Sequence, residues 1–214
     1  MFTHAFSRRI TLTLCGLLLA FILLPAAAQA NSPAKQALET ATDRILSFIK
    51  NPDYVNPATR GPIRQQIEDE VLHIFDFGEF SSRTVGPRWR TFTPAQKKAF
   101  SDAFADLLIN TYVNKIDGYN GEQVIYTGEV ASAKGDRVEV RSVITMKDGK
   151  KVPVAYRMLP KNGKWLVYDV LIENISLVKN YRTQFQDILN TDSPENLIAR
   201  IKSKAMEVRQ EHGK

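Results

Sequence analysis

RVEVRSVITMKDGKKVPVAYRMLPKNGKWLVYDVLI, residues 137–172, alternates apolar and polar side chains in runs broken at Asp148-Gly149 and Asn162-Gly163. A period of two is the signature of a strand, and both dipeptides suit the left-handed positions of tight hairpin turns. Strands are therefore expected over 137–146, 151–159 and 165–172. A fourth, 123–130, precedes them through the Lys134-Gly135-Asp136 turn, completing a four-stranded antiparallel meander. Val138, Val140, Ile144 and Met146 share one face of the second strand; Val152, Val154, Tyr156 and Met158 share one face of the third. In the last strand both sets are apolar, Leu166, Tyr168, Val170 and Ile172 against Trp165, Val167 and Leu171, so that strand is expected to be covered on both sides.

Outside this region the period is 3.6. Ser32-Pro33 opens a helix whose Ala34, Leu38, Ala41, Ile45 and Ile49 recur at helical spacing until Asn51-Pro52. A second helix runs from Pro62 to about Phe75, with Ile63, Ile67, Val71 and Ile74 on one stripe; Asp76 caps a short third carrying Phe77 and Phe80. Thr93-Pro94-Ala95-Gln96 is a capping box, and the long helix it starts ends near Asp117-Gly118. Phe100, Phe104, Leu107, Leu108, Thr111 and Tyr112 give that helix a broad stripe to bury. Two more helices, about 176–189 and 194–208, close an α+β domain.

Residues 1–30 read as a secretory signal: Arg8 and Arg9, then the uncharged stretch Ile10 to Leu24, then Ala28-Gln29-Ala30 as a small-residue cleavage site. The rival reading, a membrane anchor, needs about 20 apolar residues. Cleavage leaves a domain of residues 31–214, removes the chain's single cysteine, Cys15, and lowers the formal charge from +6 to about +4. That charge is too small to indicate nucleic-acid binding, and without cysteine the fold depends on a packed core.

Catalytic material is sparse. The mature chain keeps His73, which lies off the apolar stripe of its helix, and His212, third from the end; no metal-ligand spacing or phosphate-binding glycine loop is present. Asp169, beside Tyr168 but expected on the opposite face of the strand, is the one acid candidate. The plainer expectation is that Asp169 meets solvent or a basic partner at the sheet edge. The abundant aromatic side chains suit either a filled core or a core with a slot, and spacing alone does not choose between them.

Two further stretches carry a resemblance. GPRWRTFTPAQK (86–97), followed by Phe100, Phe104, Leu107-Leu108 and Thr111-Tyr112, is the first; WLVYDVLIENISLVKNYR (165–182), running on to Gln184-Phe185, is the second. Together with the closing Leu197-Ile198-Ala199-Arg200 helix, they resemble the periplasmic phospholipid-binding carriers of the maintenance-of-lipid-asymmetry pathway, the toluene-tolerance family. Asn174 stands where that family commonly has glycine, and asparagine tolerates the left-handed conformation a turn there requires.

The resemblance implies a periplasmic, monomeric, non-enzymatic carrier without a cofactor. Its cargo would be a diacyl phospholipid, and its partners an outer-membrane lipoprotein complex and an inner-membrane ABC-type transporter. Two sixteen-carbon chains would cost on the order of 25 kcal/mol to leave in water, at about 0.8 kcal/mol per methylene, so the pocket must be deep. Expected between the concave sheet face and the long helix, it would be walled by Phe104, Leu108, Val140, Ile144, Val154, Tyr156, Met158, Tyr168, Val170 and Ile172. Arg88, Arg90 and Lys97 would serve a lipid headgroup or a docking face, or form an ordinary solvated basic patch. Two other readings are a small-molecule isomerase or hydrolase using Asp169 and Tyr168, and a periplasmic chaperone that would retain peptide.

Overall fold

The change of period along the chain becomes a change of element. Helices α1 (Pro33–Ile49), α2 (Arg60–Ile74), α3 (Phe77–Val85) and α4 (Pro94–Ile116) precede strands β1 (Gln123–Ala131), β2 (Val138–Thr145), β3 (Lys151–Lys161), β4 (Lys164–Ile172) and β5 (Ile175–Ser176). Helices α5 (Leu177–Thr191) and α6 (Pro194–His212) follow. This computed structural model describes residues 32–116, 119 and 121–212. The signal expected over 1–30 and the helix end expected at 117–118 lie outside the described residues. Residues Asn31–Lys214 make up one compact unit. Among the described residues no helix is long and apolar enough to cross a membrane.

Helix starts are satisfied by short polar side chains, as orphan N–H groups require. Ser32 Oγ accepts from the Lys35 N–H at 3.1 Å and Asp76 Oδ1 from the Glu79 N–H at 3.0 Å. At α4 the capping box closes in both directions, Gln96 N–H to Thr93 Oγ1 at 3.2 Å and Thr93 N–H to Gln96 Oε1 at 2.7 Å.

The sheet is an antiparallel meander in the order β1-β2-β3-β4-β5. It has five strands where four were expected, because the chain reverses sharply at Glu173 and Asn174 and pairs Ile175 and Ser176 with the end of β4. Both turn residues are left-handed, with φ of 50° and 66°.

A second departure matters more. Arg157 pairs with Asp169 but the next residue, Met158, pairs with Val167, so Tyr168 is an extra residue in β4, a bulge. A bulge shifts the alternation by one. Val167 shares the inner face with Met158, and beyond the bulge Val170 and Ile172 continue that face opposite Tyr156 and Val154. Tyr168, expected on the same face, is turned away, with the Arg83 guanidinium 4.2 Å from its ring centroid. From Val167 to Val170 every residue of β4 is buried, so the strand is covered on both sides there.

One end of the inner face is filled. Val140, Met158 and Val167 are fully buried against a group of aromatic rings. Phe104 of α4 lies at its centre, with ring centroids 5.7 Å from Phe80, 5.7 Å from Phe100, 4.9 Å from Tyr181 and 5.2 Å from Phe185. A smaller cluster of Ile49, Tyr54, Ile63, Ile67, Ile109 and Val113 joins α1, α2 and α4.

Candidate functional site

Along α4 the rings of Phe100 and Phe104 give way to Leu108, Ile109, Tyr112 and Val113, and from there the helix no longer fills the space above the sheet. A cavity of about 300 Å³ opens. Its floor is Ile144 of β2, Val154 and Tyr156 of β3, and Val170 and Ile172 of β4. Leu38, Ala41, Thr42 and Ile45 of α1 and Val71 and Ile74 of α2 form the far wall, and Phe75, Phe77, Phe80 and Leu177 close the ends. No charged side chain among the described residues lines it.

The wall is not wholly apolar. Thr42 Oγ1 and the Tyr126 hydroxyl share a 2.8 Å hydrogen bond that ties α1 to the edge strand β1. Burial pushes the Tyr126 phenol above its ordinary pKa, the Thr42 bond opposing this and Glu39 and Asp43 adding to it. Tyr156 is raised strongly, first by burial and then by nearby Tyr126, with Ser142 opposing. Tyr112 is raised by burial, and Tyr181 is pushed up to about 12 by burial and by Tyr112. These phenols, of which Tyr112 and Tyr156 line the cavity, therefore stay protonated and neutral well above physiological pH.

Of the expected wall residues, Leu108, Ile144, Val154, Tyr156, Val170 and Ile172 line the cavity. Phe104, Val140 and Met158 do not: they share its faces but belong to the filled end, where aromatic rings occupy the space. Tyr168 does not because the bulge reverses its direction. The contributions of α1, α2 and α3 were missed. Their apolar stripes were visible, but a stripe that lines a cavity has the same spacing as one that packs a core.

The other candidates have structural partners. Asp169 is buried, with 3% of its surface exposed, not at a solvated edge. Its carboxylate accepts from the Val178 N–H at 3.0 Å, the Ser176 hydroxyl at 2.7 Å and Arg157 Nη1 at 3.3 Å. Neither it nor Tyr168 lines the cavity, so the hydrolase or isomerase reading loses its site. Arg88 donates to the Leu189 carbonyl near the end of α5. Lys97 Nζ is 6.0 Å from the Trp89 ring centroid, and Arg90 is exposed. Lys97 precedes Leu108 by eleven residues, about 16 Å of helix, so this basic group is remote from the cavity. His73 is exposed on α2. Among the described residues no group of three or more His, Cys, Asp or Glu side chains could hold a metal ion.

Comparison with known proteins gives consistent relatives. A family model described as MlaC protein matches residues 39–203. The intermembrane phospholipid transport system binding protein MlaC of Haemophilus influenzae is 20% identical over 191 residues, 88% of this chain and 89% of that protein. The toluene tolerance protein ttg2D of Pseudomonas putida is 29% identical over 175 residues, 81% of this chain and 79% of that one. Among solved structures, the phospholipid-binding protein from Ralstonia solanacearum in complex with a phospholipid superposes with a TM-score of 0.72 at 28% identity. That match covers 82% of this chain and 98% of the other.

Proposed function

The chain belongs to the MlaC protein family, and from that premise we propose that it binds a phospholipid by its acyl chains in the cavity between sheet and helices and carries it between membranes. The observation that carries this reading is an uncharged, mostly apolar volume that side chains leave unfilled inside an otherwise packed protein. An unfilled apolar volume leaves its lining without packing partners, a cost to the empty protein that a ligand can remove. Acyl chains offset that cost, and they lose nothing by leaving a bilayer that is equally apolar. Transfer therefore needs no energy source in the carrier, and its direction is set by the partners.

In this reading residues 1–30 are removed on export and the mature protein, from Asn31 onward, works as a periplasmic monomer. It exchanges cargo with an outer-membrane lipoprotein complex and an inner-membrane ABC-type transporter. Phospholipid is cargo, not a cofactor, and the protein catalyses no reaction. Leu108, Ile144, Val154, Tyr156, Val170 and Ile172 contact the chains, joined by Leu38, Ala41, Ile45, Val71 and Ile74 from the helices.

The test is mass spectrometry of material extracted from protein purified without detergent. Stoichiometric phospholipid is the expected result. Repeated purification with no phospholipid, or with peptide in its place, would overturn the reading.

A further inference from the structure

One pair of hydroxyls beside the cavity has more donors than the protein uses: Thr42 lines the cavity, and the Tyr126 hydroxyl, which does not, is bonded to it. Thr42 and Tyr126 contribute two hydroxyl protons to a single shared hydrogen bond, so one proton is left over whichever group donates. Helical threonines elsewhere spend theirs on the preceding turn: Thr40 donates to the Gln36 carbonyl at 2.8 Å and Thr111 to the Leu107 carbonyl at 2.7 Å. Among the described residues Thr42 bonds only Tyr126. Tyr156 lines the same cavity, but its hydroxyl is hydrogen-bonded to Ser142, whose own proton goes to the Val154 carbonyl at 3.2 Å, so the Tyr156 proton is spent on that bond. Tyr126, Ser142 and Val154 form one row across β1, β2 and β3, and Tyr156 follows in the next row of the same face. The spare proton therefore belongs to the Thr42–Tyr126 pair, where α1 meets the edge strand.

Neutral donors without a cation select their ligand. An ionised carboxylate or phosphate at this pair would be desolvated with no opposing charge, which is costly. A plain hydrocarbon would leave the spare donor unsatisfied. A carboxylic ester carbonyl is an uncharged acceptor joined directly to an acyl chain, and it meets both conditions. Building on the carrier reading, we infer that the Thr42–Tyr126 hydroxyl pair donates a hydrogen bond from its spare proton to an ester carbonyl of the cargo, so that the cavity selects ester-linked lipids over ether-linked lipids and over free fatty acids. Because burial keeps the Tyr126 phenol protonated, the selection persists across physiological pH.

The experiment uses delipidated mature protein and three probes: dipalmitoyl phosphatidylcholine, its dihexadecyl ether analogue and palmitate. The wild type should bind the diester on the order of tenfold more tightly than the diether, as one hydrogen bond would give, and palmitate more weakly still. Thr42→Val with Tyr126→Phe, which removes both hydroxyls, should bring diester affinity down to that of the diether in the same variant; diether binding that persists reports an intact cavity. Thr42→Ser, which keeps the hydroxyl, should keep the preference. Equal affinity of the wild type for diester and diether, or a preference that survives the double substitution, would overturn the inference and leave the carrier reading standing. Failure to bind either phospholipid would overturn both.

Discussion

Asp169 on β4 accepts the backbone N–H of Val178 at 3.0 Å, so a strand residue on the face away from the cavity caps the first turn of α5. The same carboxylate holds Ser176, whose Oγ in turn accepts the Lys179 N–H at 3.1 Å. The acid that looked most like a catalyst is committed to joining strand to helix. Asp169→Ala is expected to lower the urea-unfolding free energy by about 2–4 kcal/mol, mainly from the N–H and hydroxyl left without an acceptor. The Arg157 contact adds little, because that side chain is 35% exposed. Phospholipid per folded protein should not change; a loss of lipid at unchanged stability would return Asp169 to the functional site.

Ile144 and Val140 lie on one face of β2, the first at the cavity and the second in the filled end. Val140→Asp should cost several kcal/mol or prevent folding, since the carboxylate has no water and no partner. Ile144→Asp, and likewise Val154→Asp, should reduce bound phospholipid more than stability, because water can enter the cavity of the delipidated protein and hydrate the charge. Lipid phosphorus per folded protein, measured beside urea unfolding, separates the two behaviours. Equal lipid content with a large stability loss in Ile144→Asp would assign that end to ordinary core.

Ala41 presents a single methyl group to the cavity from α1. Ala41→Leu places three more carbons there, so the variant should co-purify with less than half the phospholipid of the wild type. Its delipidated form should be no less stable than the delipidated wild type. Full lipid occupancy would mean that the chains do not pass α1.

Arg88 bonds a carbonyl near the end of α5, far from the cavity. Arg88→Ala should cost about 0.5–1.5 kcal/mol in urea unfolding, as for one hydrogen bond, and leave lipid retention and headgroup preference unchanged. A changed headgroup preference would restore its proposed place at the lipid.

The buried phenols set an alkaline limit. Tyr181 is pushed up to about 12 in the folded protein, against 10.0 for an ordinary tyrosine. Between these values the unfolded chain has lost the proton that the native state keeps, so stability falls as pH rises. The contribution is fully present below about pH 10 and disappears as pH passes about 12. Tyr112, Tyr126 and Tyr156 act in the same direction. Urea midpoints should be flat from pH 7 to 9 and drop steeply above 10; Tyr181→Phe should make the drop shallower.

The elements were legible because their causes are local. Period-two alternation with Asp148-Gly149 and Asn162-Gly163 dictates hairpins, and Ser32-Pro33, Asp76 and Thr93-Pro94-Ala95-Gln96 dictate helix starts, whatever lies across the fold. The long helix was recognisable as the central one, since its stripe is too broad to leave in water. What the sequence could not express was the difference between a buried wall and a filled core. Phe104 and Leu108 lie one turn apart on the same apolar stripe, yet Phe104 meets four aromatic rings contributed by α3, α4 and α5 and Leu108 meets open space.

The face of Tyr168 was undecidable for a related reason. In WLVYDVLI both alternating sets are apolar, so burial rewards either register equally and pattern has nothing to choose with. The choice falls to groups distant in sequence or across a turn: Arg83 of α3 stacks on the Tyr168 ring, while Ser176 and Val178 supply donors to Asp169. By itself, then, the sequence determined the order of helices and longer strands and where most of them begin, because capping, turn conformation and periodicity act over a few residues. Only the tertiary structure decided the bulge, the faces beyond it and the volume left for a ligand, because each depends on which side chains from separate elements reach the same place.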